Sequence, residues 1–322
     1  MAIDQTDRLT LAEMTKRLHP TEKKLADIAE ILEESNEILN DLKFQEANNV
    51  TSHVATLRDR IPEAQTRAFN EYVGSETTST RQVEEHIAML AIYSVVDKKL
   101  VDVGSGDKSG FMLGEIKGFI EGMGQQAADL MFYGNRANDP GEINGLANRY
   151  NTLSQKNVWD NGGSSNRTSI WVLQHDLDKV HGVYPRGSKA GLDHRDLGEQ
   201  TDTDGNGKQM QVYKHYFTWD FGLVVRDPKA VQRVANVDST TTSSFSFDNS
   251  LIKALNQMPK RGKGSVIYVN RDVFTMMDIY AKDKTNMAYG NITDAAGQEI
   301  TTFRGIPVRL VESLLSTESA VS

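Results

Sequence analysis

Gly110, Gly114, Gly118 and Gly122 recur at every fourth position of the segment DKSGFMLGEIKGFIEGMGQQAADLMFY, residues 107–133. Met112, Ile116, Phe119, Met123, Ala127 and Leu130 fall on one face at helical spacing, so the segment reads as the longest helix of the chain. Each glycine costs a helix interior up to about 1 kcal/mol relative to alanine. A row of four is therefore expected where something packs close, such as a sheet or a long strand crossing the helix. A membrane role for the row fails, because Glu115, Lys117 and Glu121 interrupt the segment.

The rest of the chain frames that helix. From Thr21 the sequence TEKKLADIAEILEESNEILNDLKF carries Leu25, Ile28, Leu32, Leu39 and Leu42 at alternating three- and four-residue steps. That is a narrow helical stripe, read either as a surface helix on its own core or as an arm that packs on a neighbouring subunit. Residues 49–101 change character. Two segments of short alternations and β-branched residues flank a Gly-Ser-Thr-rich middle from Gly74 to Thr80, which predicts a long two-stranded excursion with little to pack against in one chain. After Thr168, SIWVLQHD, HGVYP, KQMQVYKHYFTWDFGLVVRD and KGSVIYVN are strand-like. DNSLIKALNQM and RDVFTMMDIYAKDK are helical, each opened by an aspartate, and EITTFRGIPVRLVESLL closes as two short strands around Gly305. The mixture predicts an α+β fold without strict βαβ alternation.

Composition bounds the chemistry. At 322 residues and 38% hydrophobic the chain can bury a sizeable core. It has no cysteine, which excludes disulfides and thiolate metal sites. No apolar run approaches the ~20 residues of a membrane span, and MAIDQTDRLT lacks the order of a signal peptide, so synthesis in the cytoplasm is expected. The net charge of −8 argues against a protein whose main task is gripping nucleic acid, though not against local contacts. The best metal candidate is DTDGNG. Asp202, Asp204, Asn206 and Gly207 match the start of a calcium-binding loop, but the twelfth position is Tyr213 and the flanks read as strands. A hairpin tip rich in turn residues is the plainer reading. The seven histidines are scattered; His175-Asp176 and His194-Arg195-Asp196 are neighbours in sequence, and adjacent strand residues point opposite ways. There is no nucleophile elbow and no phosphate-binding glycine loop. Lys260, Arg261 and Lys263 make a basic turn, PKRGKGS, read as a solvated loop or, if many copies faced one polyanion, a nucleic-acid contact. No catalytic residue, cofactor or metal is assigned.

One stretch remains, FYGNRANDPGEINGLANRYN from Phe132, rich in glycine and asparagine directly after the long helix. Gly134, Asn135, Asp139, Pro140, Gly145, Leu146, Arg149 and Tyr150 stand in a pattern that resembles the segment after the spine helix in major capsid proteins of short-tailed bacteriophages. GVYPRGSKAGL from Gly182, TWDFGLVVRDPKAVQRVANVD from Thr218 with its R-x-A-N element, and FRGIPVRLVES from Phe303 are similar to further family segments, in the same order. The resemblance spans nearly the whole chain.

The resemblance implies the tailed-phage, Hong Kong-type capsid fold. Residues 1–48 would be an N-terminal arm and 49–101 an extended hairpin loop lying over a neighbour. Residues 102–155 would be the spine helix and peripheral domain, 156–299 an axial domain with further peripheral strands, and 300–322 a closing hairpin. The glycine-rich stretch would be structural, with Asp139-Pro140 stopping the helical path and Gly145 permitting a turn. The implied function is a non-enzymatic coat protein that assembles as pentamers and hexamers into an icosahedral shell around double-stranded DNA. Its implied partners are a scaffolding protein, a portal and a decoration protein, with no membrane; DNA contact would be non-specific, through Lys260, Arg261 and Lys263. The implied location is the virion, with assembly in the host cytoplasm. An encapsulin-type shell with the same fold stays open, as does, less strongly, a calcium-dependent binding or hydrolase domain centred on Asp202, Asp204 and Asn206.

Overall fold

The structure is a computed structural model that describes residues 36–104, 108–203, 206–240, 246–282, 288–293 and 299–322. Leu25, Ile28, Leu32 and Asp204 of the sequence reading lie outside these. The first described elements are α1 (Ile38–Asp41), β1 (Phe44–Glu46), β2 (Ser52–Arg60) and β3 (Ser79–Asp97). Then come α2 (Lys98–Gly104), the long helix α3 (Lys108–Tyr133) and α4 (Leu146–Arg149). Strands β4 (Val158–Asp160), β5 (Arg167–Leu173), β6 (Val180–Tyr184), β7 (Leu192–Thr203), β8 (Gln209–Val225) and β9 (Val231–Asp238) follow. The remainder is α5 (Ser246–Gln257), β10 (Val266–Val269), α6 (Arg271–Lys282), β11 (Tyr289–Thr293), β12 (Glu299–Phe303) and β13 (Ile306–Leu310). No described helix is long and apolar enough to cross a membrane.

The described residues group into two units, one of Met89–Ala127 and Gly191–Asp220, the other of Ser35–Ala88, Ala128–Ala190 and Phe221–Ser322. The larger unit is built on a sheet ordered β11-β12-β13-β10-β5-β9-β4. β10 runs parallel to β13 and antiparallel to β5, and β5 runs antiparallel to β9. Every residue of β9 up to Val237 is buried, as expected of a strand covered on both faces. Helices α5 and α6 cover the sheet because their apolar residues recur at helical spacing: Phe247, Leu251, Ala254 and Leu255 on one, Val273, Met276, Met277 and Tyr280 on the other. Asn270 caps α6, its Oδ1 accepting from the Val273 N–H at 3.0 Å.

The same unit holds β1, β6, the end of β8, the start of β3, and β2, in that order across a second sheet. Two glycines are required there. A Cβ at Gly182 would lie 2.5 Å from the Phe44 ring of the parallel neighbour β1, and one at Gly222 would lie 2.8 Å from the His86 carbonyl. The predicted two-stranded excursion is present as β2 and β3, paired from Ser52–His86 out to Arg60–Ser79. Residues 61–78 between them are exposed throughout.

In the smaller unit β7 and β8 pair antiparallel from Leu192–Trp219 to Thr203–Gln209, with a bulge between Asp196 and Glu199. Val96, Val101, Phe111, Met112 and Tyr213 form its core. β7 is polar and mostly exposed, the composition that keeps an edge strand from pairing further.

Two expectations change. The helical stripe does not run through to Leu42: the helix is only Ile38–Asp41, and Leu42 is extended (φ −70°, ψ 128°) and buried. Docking on the chain's own core overrides the local period there. The glycine row is the second. A Cβ at Gly118 or Gly122 would meet nothing within 4 Å, and both residues are exposed. The reason is angular. Met112, Met123 and Ala127 are buried, and Phe119 stacks on Phe217 at 5.6 Å, but that stripe is turned roughly 150° around the helix from the glycine row. Gly118→Ala and Gly122→Ala should therefore stabilise the unassembled subunit by up to ~1 kcal/mol each in urea unfolding. A loss of stability would contradict the open surroundings seen at both positions.

Candidate functional site

The stretch after α3 is a closed loop tied by backbone. The Gly134 N–H donates to Leu130 O at 3.0 Å, and the Gly145 N–H donates to Gly134 O at 2.8 Å. A Cβ at Gly134 would lie 2.6 Å from Leu130 O, and one at Gly145 would lie 2.7 Å from the Phe132 carbonyl, so the two crossing strands of chain admit only glycine. Within the loop Asn135 Oδ1 accepts from the Ala137 N–H (3.0 Å) and Asn148 Nδ2 (3.3 Å). Asp139 Oδ1 accepts from the Gly141 N–H at 2.8 Å across Pro140. The acids and amides of the loop thus serve its own backbone.

Arg149 leaves the loop and enters the protein. Its guanidinium donates to both carboxylate oxygens of Glu85 on β3, with Nη2 to Oε2 at 2.7 Å. It also donates to Asn144 O (2.7 Å) and Leu223 O (3.2 Å). Glu85 is 4% exposed and Arg149 half-buried, so the buried carboxylate has its charge partner. Tyr150 packs edge-on against Trp171 at 6.3 Å, and burial pushes its hydroxyl pKa up to about 12.

The R-x-A-N element gives the second arginine. Arg233, on β9, donates to Ser169 Oγ (2.9 Å), Tyr150 O (2.7 Å) and Glu318 Oε2 (2.8 Å), and lies 5.0 Å over the Trp171 ring. Glu318 also accepts from Tyr133 Oη at 2.6 Å, at the end of α3. Asn236 has a left-handed backbone (φ 55°) that turns its amide onto the last residues. Its Nδ2 donates to Val321 O and its Oδ1 accepts from the Val321 N–H, both at 3.0 Å. Glu318 was not singled out in the sequence; within TESAVS it looks like any polar tail residue.

Leu39 is half-buried and Leu42 buried. The α1 region is fastened by Glu37 to Arg309 (2.7 Å) and by Asp41, which accepts from Tyr268 Oη (2.7 Å). Lys260, Arg261 and Lys263 are exposed on the turn before β10. Asp202 lies in the β7–β8 ladder opposite Met210, and Gly207 has the left-handed backbone of a hairpin turn (φ 80°). Among the described residues no three acidic or histidine side chains could hold a metal ion. Histidines far apart in sequence do meet: His194 and His215 stack with Nε2 and Nδ1 3.1 Å apart, with Asp196 at 3.8 Å from His215. Cross-strand register, which the sequence reading did not resolve, brings them together.

Exposed apolar side chains cluster on the 61–78 loop. Phe69 and Tyr72 are 100% exposed and Ile61 is 73% exposed. A soluble chain gains nothing from such residues unless another surface covers them.

Arg149→Ala strands the buried Glu85 carboxylate and should cost on the order of 3–5 kcal/mol in unfolding free energy. Loss below about 1 kcal/mol would contradict the burial. Glu318→Ala should likewise loosen the terminal segment, read as faster amide exchange at Val321. His175 is held neutral: burial pushes its pKa down to about 4 while Nε2 pairs with Tyr268 Oη at 2.7 Å. The unfolded residue takes a proton below about 6.5, the folded one only below about 4. Its contribution is whole above pH 6.5 and falls, by on the order of 3 kcal/mol in all, as the pH drops to 4. His175→Gln should reduce the slope of stability against pH in that window, and an unchanged slope would contradict it.

Comparisons with known proteins bear on what this architecture is for. A family model described as major capsid protein GP7 matches residues 20–322. Among solved structures, a chain of bacteriophage Epsilon15 is similar at 30% identity and TM-score 0.75, over 100% of this chain and 99% of that one. The capsid of bacteriophage JBD30 is similar in fold at 10% identity and TM-score 0.53, over 95% of this chain and 99% of that one. An encapsulin of Synechococcus elongatus is similar at 12% identity and TM-score 0.44, over 63% of this chain and 88% of that one. No curated protein matches the sequence. The α+β fold is the tailed-phage capsid fold, and the chain belongs to the major capsid protein family and is a phage coat protein.

Proposed function

We propose that this coat protein assembles through pentamers and hexamers into an icosahedral shell around double-stranded phage DNA, with the 61–78 loop of each subunit lying on a neighbour. The observation that carries the loop's role is the full exposure of Phe69 and Tyr72 on the segment that joins β2 to β3. Many weak copies of one contact suffice, because closure of the shell makes each one effectively intramolecular.

In this reading residues 1–48 are an arm, of which the end near Asp41 is fastened to its own subunit. Residues 49–101 are the extended loop, 102–155 the spine and peripheral region, 156–299 the axial region, and 300–322 the closing hairpin and terminal segment. The open row at Gly118 and Gly122 then belongs to a surface that a neighbour's backbone can approach closely. Scaffolding, portal and decoration proteins act as assembly partners, and assembly takes place in the host cytoplasm. DNA contact is non-specific and salt-sensitive, through basic positions that include Lys260, Arg261 and Lys263.

Phe69→Ser with Tyr72→Ser tests the loop. Thermal stability of the subunit should be unchanged, while closed shells on co-expression fall by tenfold or more in electron micrographs. Normal shells from the double variant would remove the loop from the interface. Charge reversal at Lys260, Arg261 and Lys263 should lower the packaged genome per particle; full packaging would remove them as DNA contacts.

A further inference from the structure

Six non-glycine residues of the described chain have a left-handed backbone: Asn70, Asn166, Asn236, Lys260, Arg261 and Arg304. Three are asparagine, which visits that region most readily. The other three are all basic. Lys260 and Arg261 are consecutive, followed by Gly262 (φ 73°) and then Gly264 (φ 76°). Arg304 precedes Gly305 (φ 77°) in the two-residue turn between β12 and β13, where Asn-Gly is the favoured pair. Residues held in this region cluster at functional sites.

The two turns meet at one cavity of about 490 Å3, lined by Arg261, Lys263 and Arg304 together with Leu255, Ile306 and Pro307. That volume falls within the roughly 300–1,000 Å3 of small-ligand sites. The three cations are exposed, and their side chains make no ion pair or hydrogen bond with the described residues. Gly264 and Gly305 also line the cavity, and a Cβ at either would meet nothing within 4 Å, so a ligand can approach bare backbone. Gly262 is held in place: a Cβ there would press on Leu255 at 2.9 Å and Ile306 at 3.3 Å. Three cations that line one cavity without an internal partner among the described residues, beside turn backbone of the kind that binds anions, are suited to a compact multiply charged anion.

We propose that the turns at 259–265 and 304–305 form a binding site for a phosphate group, with Arg261 and Arg304 as forked donors and Lys263 as a third charge. A phosphate group is offered both by the backbone of a nucleic acid and by free phosphate. The site stands whichever is the source, and so does not depend on the DNA contact proposed above.

The test is titration of the full chain with inorganic phosphate by calorimetry, at ionic strength held constant with sodium chloride, followed by competition with a six-nucleotide thymidylate. Arg261→Asn with Arg304→Asn removes the charges while keeping residues that suit the left-handed turns, so the fold is retained. Saturable phosphate binding is expected, weakened tenfold or more in the double variant, with the Tm unchanged or raised. Displacement of phosphate by the oligonucleotide identifies a nucleic-acid backbone as the source; phosphate binding that the oligonucleotide does not disturb identifies free phosphate. No saturable binding above the chloride control, or equal affinity in the double variant, overturns the site.

Discussion

The ion pair between Arg233 and Glu318 is the joint on which most of the larger unit depends. Both side chains are 5% exposed, so neither charge has water to fall back on. Such a pair is tolerable only when the remaining donors and acceptors are occupied. Here they are, and the occupants come from separate parts of the chain: Tyr133 ends α3, Tyr150 ends the loop after it, and Ser169 lies on β5. Asn236, three residues further along β9, holds the final residues by a two-way amide contact. The pair's value is in registration. A shift of any one segment would leave a buried charge without a partner, so the charges select one arrangement more than they add stability.

Arg149 with Glu85 repeats the device at the loop after α3, and the glycine crossing at Gly134 and Gly145 makes the repeat possible. Backbone must touch backbone there for Arg149 to be aimed at β3. The inside of the larger unit is thus over-determined, while its long loop is bare, with aromatic rings in solvent. That contrast suits a coat protein, whose interior must be fixed before many copies meet through their surfaces.

Much of this was legible in the sequence, and the misses have physical causes. Helices α5 and α6 follow from apolar residues at helical spacing and an acid in the first turn. The strand pair β2–β3 follows from alternation around a glycine-serine-threonine middle. The four family-like segments pointed to the capsid fold because each contains a glycine, proline or arginine that local geometry demands. The stripe ending at Leu42 misled, since a three-and-four spacing describes equally a helix and a short helix followed by a buried extended residue. Gly118 and Gly122 misled because a glycine row fixes only that small residues stand there, and nothing lies within 4 Å of a Cβ built at either. Glu318 and the His194–His215 pair were invisible, for their partners lie 85 and 21 residues away and only tertiary register unites them.

The most direct measurement is cryo-electron microscopy of particles formed by the full chain. Closed shells in which Phe69 and Tyr72 are buried at a boundary between subunits are the predicted result. Shells in which both rings remain in solvent, or a chain that stays monomeric under all conditions of co-expression, would contradict the account.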